Sequence, residues 1–464
     1  MNLQKIFQKR YTPNNKKLYS CLISLLLISG CATLPQNPAS RIAVNIPHTV
    51  REMKRPGFWI SRHPYPDKII LNEEGIAVFN AKLEKELNYI INPLNEPAQY
   101  NGKKLKNDLA KEVNNFFKRK LYISDKKLAD KNFYVPIEQN MNLAAISEKI
   151  DVRYGFLMHY ADERLLPTDS LLTVEAGDFE FDELQNSSLD VGTPLIILHE
   201  SKDGIWVYAE TSSSSGWFKK DKIAFCDAQE FKNLLSKKNF AVITAAKADI
   251  FLDEDMTKYY DYVRMGTKFA FNESNNGNII EILIPAKSAD GKFLPGKAYI
   301  RKEDANIGYL AYTPRNIIEQ AFKLLNAPYG WGGTGGEQDC SSYIQEIFQT
   351  VGITLPRNSA SQGKSGVPLG SFAAGEEKEK LKVLEDDAVA AITILQLKGH
   401  VVLYLGMYEN DPYVIHETHA YGQKNGLENI NMVVNRAVIS DLYLGEGSKK
   451  GSLLSRIVNI RLIK

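Results

Sequence analysis

Between Pro328 and Gln345 the chain reads P-Y-G-W-G-G-T-G-G-E-Q-D-C-S-S-Y-I-Q, a glycine-rich loop that leads into Asp339-Cys340-Ser341. Helical periodicity starts there: Tyr343, Ile344, Ile347, Phe348 and Val351 fall on one face, and Gly352 ends the run. Cys340 therefore opens a helix. Backbone N–H groups at a helix N-terminus carry partial positive charge, which favours the nucleophilic thiolate over the thiol. These local residues fit an inert buried cysteine equally well. The histidines downstream separate the two readings.

Composition narrows the classes. A net charge of +2 over 464 residues gives no basis for a nucleic-acid partner. The four cysteines, Cys21, Cys31, Cys226 and Cys340, are too scattered for a disulfide framework or a C-x-x-C site. Cys226 reads as an inert structural cysteine. The seven histidines form no H-E-x-x-H cluster, so no metal is expected.

Residues 1–17 are basic, and an apolar run from Leu22 to Ile28, interrupted by Ser24, follows. The run is shorter than the roughly 20 residues that span a bilayer and suits the apolar region of a signal peptide. It ends Ser29-Gly30-Cys31. Small residues directly before a cysteine resemble the lipobox of bacterial lipoproteins. The resemblance implies cleavage after residue 30, acylation of Cys31 and a membrane anchor. Ala32 resembles the choice that sorts such proteins to the outer membrane, facing the periplasm. Residues 31–50, with prolines, asparagines and serines, read as a tether.

Residues 51–149 read as an α-rich block, with helical periodicity at 77–87 and 105–121. R-P-G-F-W-I-S-R-H-P-Y-P (55–66) reads as a loop whose Trp59 and His63 either line a cleft or pack on a neighbouring domain. Residues 150–237 and 238–311 show short strands separated by turn signals such as Asp203-Gly204 and Asp290-Gly291, the pattern of two compact antiparallel barrels. The last block, 312–464, opens with a helix at 315–325, and its second half is strand-rich. The charged run Glu376–Lys380 reads as a solvated loop.

Within this block, Gly399-His400 opens the strand Val401–Gly406, and period 2 places His400, Val402 and Tyr404 on one face. Asn410-Asp411-Pro412 turns the chain into Tyr413–His416. Two histidines thus face each other across an expected hairpin. A cysteine nucleophile needs a base to take its proton and a third group to hold that base. Cys340, His400 and His416 fill these roles in that order. His419, in H-E-T-H, competes for the third role but falls past the expected end of the strand.

The order D-C-S … G-H-V-V-L-Y-L-G … V-I-H resembles the NlpC-type cysteine peptidases of bacterial cell walls, which have a papain-like fold. R-L-L-P-T (164–168), F-D-E-L-Q-N-S-S-L (181–189), G-T-P-L-I-I-L-H (192–199) and D-G-I-W-V-Y (203–208) resemble the first of two SH3-like domains in a multidomain subgroup. Residues 238–311 are similar to the second, and 51–149 to its N-terminal stabilising domain. The implied fold is α+β, a papain-like catalytic domain preceded by two SH3-like β-barrels and an α-rich domain. The resemblance implies a nucleophilic Cys340, a basic His400, an orienting His416 and no cofactor. Tyr329 and a backbone N–H at Cys340 would stabilise the oxyanion. Asp339, Ser341 and Ser359 would line the substrate subsites. Asp339 suits a free amino group, and it also suits a helix cap. Arg357 reads as structural.

Three departures from the family pattern stand out: D-C-S-S for D-C-S-G, D-D-A-V-A-A-I-T-I-L-Q-L-K where P-G-D is usual, and a longer loop through Met407–Pro412. The expected function is hydrolysis of peptidoglycan stem peptides, by a monomer, at the bond between γ-D-Glu and a diamino acid such as meso-diaminopimelate. The alternatives are a non-catalytic wall-binding lipoprotein, or amidase or acyl-transfer chemistry on the same fold.

Overall fold

A computed structural model describes residues 40–464, apart from 125, 273–276 and 374. The expected signal peptide, Cys31 and the start of the tether lie outside the described residues. The rest of the expected tether is not free chain. Ser40–Ile42 form β1, which pairs in parallel with residues 431–433. Ala43 and Ile46 are buried, and the His48 carbonyl accepts the Tyr413 hydroxyl at 2.8 Å. These apolar side chains override the tether-like composition.

The next block forms α1 (Pro56–Ile60), α2 (Glu73–Lys85), α3 (Gly102–Phe117) and α4 (Lys131–Asn140). Asn72 and Asn101 cap α2 and α3 through their side chains. The expected loop at 55–66 begins with a helix, because Pro56 occupies the first helical position, where a missing N–H costs nothing. The block is not a separate domain with its own core. Met53, Trp59, Phe79 and Leu83 join the core of the C-terminal block. Leu105, Leu109, Val113 and Phe116, one face of α3, join Phe156, Leu184 and Trp217 of the first barrel.

That barrel is a seven-stranded sheet drawn from residues 153–226. It is followed by α5 (Ala228–Leu235), whose N-terminus Asp227 and Glu230 close with a reciprocal capping box. The second barrel is built from a three-stranded and a four-stranded sheet over residues 240–307. Its core holds Ile250, Val263, Ile282 and Ile300.

The C-terminal block begins with α6 (Pro314–Lys323), α7 (Cys340–Gln349) and α8 (Ser359–Gln362). Its strands are β2 (Val367–Ser371), β3 (Thr393–Leu397), β4 (His400–Tyr408), β5 (Asp411–Asn425), β6 (Glu428–Asp441) and β7 (Ile457–Leu462). With β1 they make one seven-stranded sheet ordered β1-β6-β5-β4-β3-β7-β2. Ile318, Tyr343, Ile347 and Phe348 of α6 and α7 pack on Val401, Leu403 and Ile415. The longer loop expected at Met407–Pro412 is absent. β4 and β5 run up to a two-residue turn, Glu409-Asn410, with φ of 51° and 70°, the geometry of a tight hairpin. The charged run at 376–380 enters a helix, α9 (Glu377–Asp386). Lys380 is buried there because its ammonium donates to the Ser455 carbonyl at 2.9 Å. Among the described residues no helix is long and apolar enough to cross a membrane.

Trp59 tests the merged core. It is 2% exposed, lies 5.5 Å from the Tyr413 ring, and donates its indole N–H to the Met53 carbonyl at 2.9 Å. Trp59→Ala is expected to lower unfolding stability by about 3–5 kcal/mol. Chemical denaturation followed by circular dichroism measures this, and a loss below 1 kcal/mol would mean that the N-terminal segment is a loose appendage.

Candidate active site

Asp339 sets the start of α7. Its backbone is extended, and its Oδ1 accepts the N–H groups of Ser341 at 3.0 Å and Ser342 at 2.9 Å. The Ser342 hydroxyl answers by accepting the Asp339 N–H at 2.9 Å. The serine that departs from the family pattern thus completes a capping box. Arg357 binds the same carboxylate through two nitrogens, at 3.0 and 2.7 Å, and donates to Ser341 Oγ and, across the domain boundary, to Ser187 Oγ. Burial pushes the Asp339 carboxyl up, but the guanidinium and the capping N–H groups win, so it sits below the usual carboxylate range.

The glycine run is the surface on which both barrels press. A Cβ at Gly333 would stand 2.1 Å from Ser188 Oγ, and one at Gly336 would stand 1.8 Å from the Tyr262 hydroxyl. Both positions have positive φ. Ser188 Oγ and the Tyr160 hydroxyl donate to the Gly333 carbonyl at 2.9 and 3.0 Å, and the Trp331 indole donates to the Asp182 carbonyl at 3.0 Å.

His400 and His416 sit on neighbouring strands, β4 and β5, as the sequence predicts. His400 Nε2 and His416 Nδ1 are 3.0 Å apart, and His416 Nε2 lies 3.2 Å from Ser440 Oγ on β6. With the His400 Nε2–H donating to His416, the second ring holds its proton on Nε2 and donates it to Ser440. The His400 Nδ1 lone pair then remains for a thiol proton. Among the described residues no hydrogen bond joins Cys340 Sγ to the His400 ring; such contacts commonly tighten when substrate is bound. His419 does not compete for the third role. β5 continues past it, and its ring stacks edge-on against Phe181 of the first barrel at 4.7 Å and lies 6.0 Å from Tyr329.

The electrostatics correct the thiolate expectation. Cys340 is 8% exposed. Burial, then the Asp339 charge, pushes its thiol up to about 12, against the pull of the Val401 and Ser341 N–H groups and Arg357. Burial and the Arg456 charge push His400 down to about 3, and His416 lies well below its usual value for the same reason. The resting pair is a neutral thiol and a neutral imidazole.

Cys340, Tyr329, Asp339, Ser341 and Ser359 line one cavity of about 490 Å³, with Gly399 beside His400 at its edge. Tyr329 keeps its proton because burial raises its pKa. Glu112 and Phe116 of α3, Arg119 just past its end, and Leu165, Glu183 and Asn186 of the first barrel line the same cavity. The 55–66 segment lies at a different cavity. Arg357, read from the sequence as structural, binds Asp339. Sequence reasoning missed two further supports: Ser440 holds His416, and the Gln362 amide donates to the carbonyls of Ser341 and Pro356 at 2.8 and 2.9 Å. The R-N-S-A-S-Q run was the available signal for Gln362. Among the described residues no cluster of His, Cys, Asp and Glu could hold a metal ion.

Residues 326–434 match the NlpC/P60 family, and residues 172–219 match the SH3 domain of SH3b1 type. A gamma-D-glutamyl-L-lysine dipeptidyl-peptidase of Bacillus subtilis is 35% identical over 85 residues, 18% of this chain and 29% of that one. A protein of the same name from Bacillus cereus is 31% identical over 137 residues, 27% of this chain and 36% of that one. A probable endopeptidase of Corynebacterium glutamicum is 32% identical over 96 residues, 20% and 46% of the two chains. This chain thus spans less than half the length of these curated relatives. An NlpC/P60 endopeptidase from Photobacterium damselae subsp. piscicida shares the fold, with a TM-score of 0.72, 20% identity, and coverage of 91% of this chain and 99% of that one.

Two outcomes are expected. Iodoacetamide should label Cys340 slowly at pH 7, with a rate that climbs about tenfold per pH unit through pH 9 because the thiolate fraction does so below a raised pKa; a plateau from pH 5 would mean a preformed thiolate. Arg357→Met should cost about 3–5 kcal/mol in denaturant unfolding, since it strands the buried Asp339 charge.

Proposed function

We propose that this NlpC/P60-domain protein is a cysteine peptidase that cleaves peptidoglycan stem peptides between γ-D-Glu and the following diamino acid, usually meso-diaminopimelate. The observation that carries the reading is the Cys340 thiol at the N-terminus of α7, on a cavity shared with Tyr329 and Asp339 and bordered by the His400–His416–Ser440 chain. The names of the Bacillus relatives support the γ-D-glutamyl part.

In this mechanism Cys340 Sγ attacks the γ-carbonyl carbon as His400 Nδ1 takes the thiol proton. The proton moves during attack because the resting groups are neutral. The imidazolium that forms is held by His416, which Ser440 fixes in turn. The Tyr329 hydroxyl and the Cys340 N–H receive the oxyanion. His400 then protonates the leaving amine, and a water activated by the same imidazole clears the thioester.

The wall of α3 and the first barrel closes one end of the cavity. Stems with a free L-Ala amine therefore fit better than stems still attached to glycan, which makes the reaction one of trimming free peptides. Asp339 is already bound by Arg357 and the α7 N–H groups, so it contributes negative potential to that end rather than an open hydrogen-bonding site. The lipobox-like segment supports acylation at Cys31 and a place on the outer membrane facing the periplasm. A wall-binding role for the SH3b1-type barrel is compatible with this reading and adds no chemistry.

The test is incubation with L-Ala-γ-D-Glu-diaminopimelate and identification of products by mass. The wild type should release L-Ala-γ-D-Glu, Cys340→Ala should release none, and His400→Ala should lose at least about 100-fold in kcat/KM. N-acetylated tripeptide should be cleaved at least tenfold more slowly. Equal cleavage of intact sacculi would remove the trimming role, and no cleavage by the wild type would leave a wall-binding module.

A further inference from the structure

Three carboxylates line the Cys340 cavity: Asp339, Glu183 and Glu112. Two of them are matched. Arg357 and the α7 N–H groups hold Asp339, and Arg119 pairs with Glu183. Glu112 has neither a hydrogen-bond nor an ion-pair partner among the described residues. Asp108, one turn earlier on α3, lines the adjoining cavity instead and is paired with Lys104 at 2.7 Å.

The placement of Glu112 follows from the helix. Leu105, Leu109, Val113 and Phe116 pack on the first barrel. At roughly 100° per residue Glu112 falls about 20° from Leu105 and about 40° from Phe116, on the packed side of α3 rather than its solvent side. Its side chain is half-buried at the cavity. Burial pushes its carboxyl above the usual range, and the neighbouring Lys111 offsets this in part. A carboxylate that loses water without gaining a partner is destabilised, and a cation that enters the cavity relieves that cost. The two cationic side chains lining this cavity, Arg119 and Arg357, are each committed to another carboxylate. The missing cation must come from the ligand.

We propose that Glu112 receives the free α-amino group of the stem peptide and so selects amine-bearing fragments over stems joined to glycan through that nitrogen. The inference rests on the stem-peptide reading above and gives its amine preference a residue. That amine is protonated at pH 7. It lies seven bonds from the attacked carbonyl carbon, about 9 Å when extended. A cavity of about 490 Å³ accommodates that span. The N-terminal block then contributes a specificity determinant as well as packing.

Calorimetric titration of the whole protein with L-Ala-γ-D-Glu, which has no diamino acid left to release, and with its N-acetyl derivative tests the assignment. Saturable binding of the free-amine dipeptide is expected, weakened about tenfold or more by acetylation. In Glu112→Gln the free dipeptide should bind at least about tenfold more weakly, and acetylation should then change affinity by less than about threefold. Glu183→Gln should keep the acetylation penalty, because Arg119 already holds Glu183. Comparing two ligands within each variant cancels any loss of folded protein. A penalty unchanged in Glu112→Gln, a penalty abolished by Glu183→Gln, or no saturable binding by the wild type would overturn the assignment. Amine-dependent binding without cleavage of the tripeptide would remove the peptidase reading and leave Glu112 as the amine receptor.

Discussion

The buried ion pair between Asp339 and Arg357 is the contact on which the rest of the site depends. Taking two charges out of water is costly, and a buried pair is kept only where its geometry is excellent and its remaining donors and acceptors are met. Both conditions hold. The guanidinium meets the carboxylate through two nitrogens, and α7 N–H groups fill the remaining lone pairs. The same Arg357 reaches Ser187 in the first barrel. One interaction therefore caps the helix that carries Cys340, fixes Ser341 and couples the catalytic block to its neighbour. A second buried arginine repeats the pattern: Arg264 of the second barrel lies 3.0 Å from Asp190 of the first and 3.6 Å from Glu346 on α7. These charges join apolar contacts that cross the same boundaries, Met265 of the second barrel in the catalytic core and Phe293 against Phe156 of the first, and they add the directional specificity of a hydrogen-bond network.

That arrangement has a chemical consequence. A helix N-terminus alone would lower the Cys340 pKa. Packing of Cys340 into the core of the catalytic block buries the thiol, and a negative Asp339 sits beside it. Desolvation and like charge outweigh the helix dipole, and the thiol stays protonated. The His400–His416 pair is buried with it and stays neutral. An uncharged resting pair suits a cleft that must exclude water and still pass one proton when the substrate carbonyl arrives.

Much of the site could be read from the chain because its signals are local. The start of the Cys340 helix follows from Asp339 and the spacing of Tyr343, Ile344, Ile347 and Phe348. The two histidines fall on adjacent strands because apolar runs flank each of them. Other features were hidden because long-range packing makes them. Ser440 is an ordinary serine until β6 brings it under His416. The strand that carries His419 looked finished at His416, since polar Glu417 and Thr418 break the apolar run, yet pairing with β6 extends β5 to Asn425. Ala43 and Ile46 looked like part of a tether until the edge of the sheet accepted them.

The sequence by itself determined the NlpC/P60 character of the last block, the helix start at Cys340 and the pairing of His400 with His416 across neighbouring strands, since capping, periodicity and turn chemistry act within a few residues. The tertiary structure alone decided that the N-terminal block is shared between two cores, that Gly332, Gly333 and Gly336 stand where two barrels press on one loop, and that the thiol rests protonated. Burial and the placement of charges from distant segments set these properties, and neither is written in any stretch of neighbouring residues.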